Sequence, residues 1–478
     1  MHAQAFEPVI GLEIHVQLST QTKMFCGCAL SFGDEPNVHT CPVCLGHPGT
    51  LPTVNEQAIR YALMIAAALE CEVAPRSIFH RKNYFYPDLP KGYQISQYDE
   101  PLAIGGRLGD VRIHRAHLEE DAAKLNHIGE SGRIHGSGAS LVDFNRGGTP
   151  LVEIVTEPDL RSAAQAREWA QLLRTTVRQL GVSNVNMEEG SLRVDANVSI
   201  RPAGSEQLGT KTELKNMNSF RFLERGIEAE LARQRELVEA GEEVAQQTLH
   251  FHPEDGSLTP LRSKEYAHDY RYFPEPDLVP VAPTEEMLEA ARAALPELPA
   301  ARRERYLSDV GLSEEAATTL AFQVEYGEYF ERAIAATDGA SARSIANWVT
   351  GELVATLRQA GEDDPLGSKA TPEALAALAG LVEAKTISHG AGKQVLAKLV
   401  ADGGDPAAIV EREGLAQISD SSELESIVER AIEAEAEAAD QVRGGNEKAI
   451  GRIVGAVMKE TKGRADGGTV TELIKERL

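Results

Sequence analysis

Residues 9–18 alternate between apolar and mostly polar side chains with a period of two. Because successive side chains of a β-strand point to opposite faces of a sheet, this alternation predicts a strand with one buried face. The apolar face consists of Ile10, Leu12, Ile14, Val16 and Leu18. Glu13 and His15 lie on the other face, so we expect them to point together, away from the apolar layer.

The same pattern returns in residues 191–201. The apolar positions there are Leu192, Val194, Ala196, Val198 and Ile200. Arg193 and Asp195 belong to the opposite, polar set. The sequence therefore predicts a second strand that carries a basic and an acidic group on one face.

Further carboxylates accompany these strands. Glu119, Glu120 and Asp121 follow the alternating stretch 111–114, and Glu153 interrupts the apolar run 151–155. A carboxylate within an apolar strand is costly unless a cation or hydrogen bonds compensate it. Mg²⁺ prefers oxygen ligands and bridges nucleotide phosphates, so it is the natural candidate. The alternative is a plain antiparallel sheet whose polar face meets water.

The composition changes near residue 295, where two prolines in the stretch 295–299 interrupt any helix. Earlier residues predict alternating strands, and later ones show helical periodicity, with a second break at 402–406. We therefore predict an α+β domain at 1–294, a helical domain at 295–404 and a helical tail at 405–478.

The chain has 478 residues, 42% of them hydrophobic, and a net charge of -25. No apolar run approaches the ~18 residues that a membrane span needs, and the first residues lack a secretory pattern. We expect a cytoplasmic protein without a membrane segment.

The acidic balance disfavours indiscriminate binding to nucleic acid. Residues 441–478, with eight basic and five acidic side chains, nevertheless form a locally basic stretch. Its basic residues include Lys448, Arg452, Lys459, Lys462 and Arg464.

Four of the five cysteines fall in one segment, as Cys26-x-Cys28 and Cys41-x-x-Cys44. Two close pairs separated by a short loop predict a structural Zn²⁺ site in a reducing compartment. Four unrelated thiols are the alternative. Closed coordination by four thiolates would leave no open position for a substrate, so this zinc is expected to be structural.

No P-loop pattern of the form G-x-x-x-x-G-K-[ST] occurs in the chain. If ATP is used here, carboxylates on the sheet must hold its metal. Phosphoryl transfer also needs cations to neutralise charge, and Lys82 and Arg193 are candidates to supply them.

Many longer motifs resemble one family along the whole chain. They are residues 9–16 (VIGLEIHV), 81–90 (RKNYFYPDLP), 93–97 (YQISQ), 119–122 (EEDA), 143–146 (DFNR), 157–159 (EPD), 214–219 (LKNMNS) and 269–274 (DYRYFP). Together they are similar to the B subunits of the aspartyl/glutamyl-tRNA amidotransferases, and the tail resembles the tRNA-contacting terminal domain of that family.

The resemblance implies a catalytic domain related in fold to glutamine synthetase and the guanidino kinases. It implies an enzyme that uses ATP and Mg²⁺ to phosphorylate the side-chain carboxylate of Glu-tRNA(Gln) or Asp-tRNA(Asn), after which ammonia forms the amide. Carried over by motif, the catalytic and magnesium-binding candidates are Glu13, His15, Glu120 and Glu153. The candidates for cofactor binding are Lys82, Glu119, Arg193 and Asp195.

The resemblance also implies partners. The chain lacks the Gly/Ser-rich signature of amidases, so glutamine must be hydrolysed on an amidase subunit, with a small third subunit completing a heterotrimer. Two other functions stay open. One is a noncatalytic, zinc-bearing tRNA-binding scaffold. The other is a glutamine-synthetase-like enzyme acting on free glutamate, against which the helical domain and basic tail argue.

Overall fold

The chain is described by a computed structural model for residues 6–128, 137–261, 267–337, 339–362, 364–417, 421–444, 446–461, 464–465 and 467–478. It divides into two compact units, Met1–Pro299 and Ala300–Leu478. This division lies five residues beyond the boundary predicted at 294. Lys462 of the predicted basic tail lies outside the described residues.

The first unit contains all the strands found in the described part of the chain. They are β1 (Phe6–Gln17), β2 (Glu72–Val73), β3 (His80–Asn83), β4 (Tyr93–Ser96), β5 (Ala103–Ile104), β6 (Arg107–Leu108), β7 (Val111–Glu120), β8 (Lys124–Ile128), β9 (Ala139–Asp143), β10 (Pro150–Thr156), β11 (Leu192–Pro202), β12 (Thr212–Lys215), β13 (Thr248–Phe251), β14 (Leu258–Pro260) and β15 (Phe273–Pro274). Both strands predicted from alternation are present, as β1 and β11.

Ten of these strands, counted over the described residues, form one large sheet. Its order is β14-β13-β12-β11-β1-β10-β7-β5-β2, with β6 paired to β7. The neighbours are antiparallel except for β12 and β13. On β1 the even positions are buried, with Ile10 and Ile14 fully inaccessible to solvent. The predicted apolar face of this strand is thereby confirmed.

One irregularity interrupts the sheet between β7 and β10. Val155 pairs with Arg115, whereas the next residue, Thr156, pairs with Ile113, so His114 is an extra residue on β7. Such a β-bulge shifts the alternation of side chains by one position. As a result Ile113 before the bulge and Ala116 after it lie on the same, apolar face.

Four α-helices accompany the strands before residue 294 in the described chain. They are α1 (Glu56–Ala68), α2 (Ala163–Gln179), α3 (Phe220–Glu239) and α4 (Glu285–Ala293). Each begins after a side chain that accepts a hydrogen bond from a backbone N–H of the first turn, which compensates an otherwise unpaired donor. Helix α3 packs against β11 and α2 packs against α3, so the apolar side of the sheet is covered.

Two smaller sheets complete the first unit. One has the order β15-β3-β4 and packs through β4 against β7 of the large sheet. The other joins β8 and β9. The three-stranded sheet brings Lys82 and its aromatic neighbours to the edge of the large sheet's polar face.

The second unit is helical. Its helices are α5 (Pro299–Ser308), α6 (Glu314–Phe322), α7 (Val324–Ala335), α8 (Ala342–Asn347), α9 (Val354–Ala360), α10 (Pro372–Glu383), α11 (His389–Asp402), α12 (Pro406–Glu413), α13 (Ser421–Ala434), α14 (Ala436–Arg443), α15 (Ile450–Glu460) and α16 (Gly467–Arg477). A π-helical turn, Trp348–Leu353, lies between α8 and α9. None of the described helices is both long and apolar enough to cross a membrane.

Two hydrophobic cores stabilise this helical unit. The first runs from Tyr306 to Leu415 and the second from Leu424 to Ile474. Helix α12 contributes Ile409 and Val410 to the first core. The structure therefore places the change of core after residue 415, later than the boundary at 405 that two glycines and a proline predicted.

Candidate active site and metal centre

The polar face of the large sheet is assembled by strand register. His15 of β1 lies opposite Glu153 of β10 and Arg193 of β11. Glu13 lies opposite Asp195, and Glu153 lies opposite His117 of β7. Directly opposite residues of antiparallel strands share a face at close range. Side chains from four separate chain segments therefore meet on one surface.

His15 is the centre of this group. Its Nε2 lies 3.4 Å from Glu153 Oε2, 3.6 Å from Glu119 Oε1 and 3.9 Å from Glu13 Oε1. We call Glu13, His15, Glu119 and Glu153 the carboxylate cluster. Two sets of its possible ligand atoms, one of which includes Asp195, each fit within 4.8 Å.

Burial and neighbouring charges shift the pKa values of the side chains in the carboxylate cluster. Burial, together with nearby Glu153, raises the pKa of Glu119 to about 7 and also raises the pKa of Glu13. Burial by itself would lower the pKa of His15, but the hydrogen bond and charge of Glu153 and the charge of Glu119 raise it to about 9. Burial likewise opposes ionisation of Glu153, whose pKa is nevertheless held well below its ordinary value by His117, His15 and Lys82.

This donor set fits a divalent cation. Two sets of ligand atoms, each made of His15 and two carboxylates, lie within 4.8 Å, and the raised pKa of Glu119 indicates that its negative charge is incompletely compensated. A bound cation would supply the missing charge, and Mg²⁺ is suited to a site in which most donors are oxygens.

Lys82 enters from the three-stranded sheet. Its ammonium lies 4.8 Å from the ring centre of Tyr270 and 5.9 Å from that of Tyr84. Burial opposes its charge, but Tyr272, Glu119 and Glu153 raise its pKa above the ordinary lysine value. Lys82 is therefore a fixed cation close to the carboxylate cluster.

The two candidate residues on β11 have separate partners. Asp195 accepts a hydrogen bond from Lys215 of β12. Arg193 donates from both terminal nitrogens to Asp121, at 3.1–3.2 Å. Both remain on the polar face, Asp195 opposite Glu13 and Arg193 opposite His15.

Glu120 requires a correction, since the sequence grouped it with Glu13, His15 and Glu153. The structure places it on the opposite face of β7 from Glu119. There it forms an ion pair with Lys91 and accepts a hydrogen bond from the backbone N–H of Ile95 at 2.9 Å. Glu119, which the sequence assigned to cofactor binding, occupies the position in the carboxylate cluster instead.

The four clustered cysteines do converge. The sulfur atoms of Cys26, Cys28, Cys41 and Cys44, which we call the thiol cluster, all lie within 4.8 Å of one another. Tetrahedral zinc with Zn–S bonds of about 2.3 Å would place its sulfurs about 3.8 Å apart, so the cluster fits zinc with little adjustment. The hydrogen bond from Cys26, and among weaker influences the ammonium of Lys23, lower the pKa of Cys44 to about 4.

Several side chains at these sites were not among the predicted site residues. His117 lies 3.6 Å from Glu153 and 3.9 Å from Glu119, and Lys23 donates to the sulfur of Cys44 at 3.7 Å. His117 lies two residues before Glu119, the first of the acidic residues that the sequence singled out. Its position on the polar face follows from the register of β7 against β10, which requires knowledge of the bulge.

Two family models match the chain. Residues 8–289 match the family model described as the GatB/GatE catalytic domain, and residues 328–478 match the model described as the GatB domain. The first unit thus has a catalytic domain of a recognised class.

Curated relatives make the assignment narrower. The B subunit of the aspartyl/glutamyl-tRNA(Asn/Gln) amidotransferase of Anaeromyxobacter sp. (strain K) is 48% identical, with 99% of each chain covered. The proteins of the same name from Geobacter sulfurreducens and Persephonella marina are 49% and 47% identical, at the same coverage. The chain belongs to the family of B subunits of the tRNA-dependent amidotransferases, glutamine-using ligases that form carbon–nitrogen bonds. Neither the scaffold alternative nor an enzyme for free glutamate gains support from these relatives.

Proposed function

We propose that this chain activates the side-chain carboxylate of glutamate or aspartate esterified to tRNA. ATP phosphorylates that carboxylate, and ammonia then displaces phosphate from the acyl phosphate to leave the amide. The observation that carries the proposal is the convergence of Glu13, His15, Glu119 and Glu153 on one largely buried face, with Lys82 and Arg193 beside them.

The carboxylate cluster would hold Mg²⁺. When bound, the ion supplies charge neutralisation at the phosphate oxygens. The chain's own contribution is to fix the ligands: His15 contacts the three carboxylates, and His117 contacts Glu119 and Glu153 from the other side. Ser96 of β4 also donates to Glu119 at 3.2 Å.

Lys82 and Arg193 would contact the anionic groups of the substrates. Both stay charged at neutral pH, because neighbouring acidic groups raise their pKa values despite burial. Fixed cations in a site shielded from water stabilise transferring phosphoryl groups more strongly than cations in bulk solvent. This pairing of cations with a metal-binding carboxylate group resembles the sheet-lined sites of glutamine synthetase and the guanidino kinases, the fold relationship that we propose.

Zinc at the thiol cluster is proposed as a structural ion. Ammonia is proposed to come from glutamine hydrolysed on an amidase subunit, within a heterotrimer that contains a small third subunit. We place the assembly in the cytoplasm, where charged tRNAs are made and thiols stay reduced.

The helical tail would contact tRNA. Lys448 and Lys459 are exposed and have basic neighbours along the chain, as phosphate binding requires. Arg452 already pairs with Glu435 at 3.0 Å, so it is the weaker candidate. Because α12 packs in the first helical core, the informative truncation removes residues 418–478 and leaves α12 in place. It should weaken tRNA binding far more than ATP binding, and equal loss of both would refute the tail's role.

The test of the catalytic proposal is ammonia-supported amidation by the reconstituted heterotrimer, with ATP and with Glu-tRNA(Gln) and Asp-tRNA(Asn) compared side by side. Glu13→Ala and Glu153→Ala should abolish amidation while tRNA binding persists. Glu157→Ala is the matched control, since Glu157 pairs with His114 near the surface. Amidation that survives in both cluster variants would reject the assignment and favour a scaffold.

A further inference from the structure

Asp121 is a buried carboxylate to which neither the motifs nor the proposed function assign a role. It follows Glu120 directly and is 5% exposed. Gln17 donates to its Oδ2 at 2.7 Å, and Arg193 donates to both of its oxygens. The Nε of Arg146 lies 3.7 Å from Oδ2. One carboxylate therefore holds two guanidinium groups at fixed positions.

Neither guanidinium group uses all of its N–H donors in these contacts. Arg146 donates through Nε to the carbonyl of Ala122 and through one terminal nitrogen to that of Ala123. A guanidinium carries five N–H donors in a rigid fork. Asp121 and its two arginines together carry a net charge of +1. The trio thus retains both donors and charge for an anion.

A cleft of about 810 Å³ gives this trio access to a ligand. Gln17, Arg146 and Arg193 line it. Arg193 also lies opposite His15 in the sheet, so this arginine connects the cleft with the carboxylate cluster. Its volume is within the range of small-molecule sites, which is about 300–1,000 Å³.

The charges that line the cleft indicate which anion it accepts. Three cations, which include Lys124, face four carboxylates, among them Asp143, Glu188 and Glu189. This lining repels a polyphosphate. A ligand with one carboxylate and one ammonium group fits better, because each of its charges finds a counterpart. The aminoacyl end of a charged tRNA has both groups.

We infer that Arg146 and Arg193 form a seat for the side-chain carboxylate of the esterified amino acid, and that Asp121 is the positioning residue that holds both arginines. This inference rests on the proposed function and names the substrate group that the cleft recognises. Two guanidinium forks bind a carboxylate oxygen pair with defined geometry, which a lysine does not reproduce.

The experiment compares the affinity of the heterotrimer for Glu-tRNA(Gln) with its affinity for the amidated product, Gln-tRNA(Gln). The two ligands differ only in carboxylate against amide, so contacts to the tRNA body cancel in the ratio. We expect wild type to prefer the carboxylate form, and Arg146→Lys, Arg193→Lys and Asp121→Asn to reduce that preference by about 10- to 100-fold, the range for charge-assisted hydrogen bonds. Affinity for Gln-tRNA(Gln) should stay unchanged in all three variants, and affinity for ATP should stay unchanged in Arg146→Lys, since Arg146 has no assigned contact with ATP.

The matched controls are Asp159→Asn and Arg112→Lys. Arg112 donates to both oxygens of Asp159 in a similar pair at the far end of β7. Neither control should change the ratio. If Asp121→Asn does not fold, the two lysine variants still decide the question.

Two results would overturn the inference: an unchanged ratio in all three variants, or a selective loss of ATP affinity, which would make the seat a phosphate site. These outcomes are distinguishable from failure of the proposed function, because in that case wild type itself would not amidate Glu-tRNA(Gln) with ammonia and ATP.

Discussion

The carboxylate cluster and the thiol cluster are both arrangements of metal-binding side chains, but they are built in different ways. The carboxylate cluster is held by hydrogen-bonded strands, contains mixed charges and lies beside Arg193, which lines a cleft. The thiol cluster lies in a loop segment and offers four like ligands. Closed tetrahedral coordination suits a structural ion, whereas a site beside a cleft suits chemistry. We therefore propose that the thiol cluster stabilises the fold and that the carboxylate cluster takes part in the reaction.

The adjacent residues Glu119 and Glu120 separate these two roles. Glu119 joins the carboxylate cluster, while Glu120 pairs with Lys91 and lines a cavity of about 240 Å³ together with Cys26 and Cys44. The two glutamates differ only in the face to which they point. They therefore provide the most direct comparison of the two regions.

The largest effect is expected for Glu119→Gln. Loss of one ligand charge should lower ammonia-supported amidation by about 10³-fold or more, since a bound metal contributes several kcal/mol to the transition state. Thermal stability and tRNA binding should stay close to wild type. Steady-state amidation with both charged tRNAs measures the effect. Near-normal activity would remove Glu119 from the site.

Glu120→Gln should act on stability. Breaking a buried ion pair leaves the ammonium of Lys91 without its partner, at a cost of about 3–5 kcal/mol in the free energy of unfolding. Urea unfolding measures this cost, with Glu100→Gln, at a surface ion pair with Arg76, as the control. If the folded variant lost amidation as completely as Glu119→Gln, the separation of roles would be wrong.

Cys44→Ser should remove zinc without removing catalysis. We expect the metal content to fall from about one zinc ion per chain, and the melting temperature to fall by several degrees, because about 1 kcal/mol corresponds to roughly 2–4 °C in a unit of this size. Cys71→Ser, outside the thiol cluster, controls for loss of a thiol. A wild-type protein that binds no zinc would reject the structural ion.

The smallest effect belongs to Asp159, outside both clusters. The hydrogen bond from Arg112 holds the pKa of Asp159 below its ordinary value. The pair should therefore stabilise the fold above the unfolded-state pKa of about 3.9, and this stabilisation should be lost as pH falls through the lower folded-state pKa. The melting temperatures of wild type and Asp159→Asn should differ most above about pH 5 and converge in acid. A constant difference would contradict the assigned pair.

Alternation along β1 and β11 sufficed to place Glu13, His15, Arg193 and Asp195 on a polar face, because a strand buried on one side repeats with a period of two. Glu120, which the motif resemblance grouped with Glu13, His15 and Glu153, lies on the other face for a physical reason. Val111 and Ile113 begin β7 with odd apolar positions, which leaves the even positions, including Glu120, for the polar face. The bulge at His114 exchanges the faces of the odd and even positions that follow it. No local sequence pattern predicts this bulge.

Contacts between residues that are far apart along the chain also could not be predicted from the sequence. Cysteine spacing was sufficient to predict the thiol cluster, since its ligands are close along the chain. The contacts of Asp121 with Gln17 and Arg193 join residues 104 and 72 positions apart. These hydrogen-bond partners depend on which strands become neighbours. No single segment of the sequence determines the order of strands in a large sheet.

The extra residue His114 decides to which face of the sheet each later side chain of β7 points. If β7 paired without the bulge, with His114 opposite Val155, the acidic stretch would keep all its residues, but Leu118 would turn toward the carboxylate cluster and Glu119 into the hydrophobic layer. The two neighbouring glutamates point to separate regions only while the bulge is preserved. The register of β7 against β10, rather than the composition of the strand, decides which face each of these glutamates reaches.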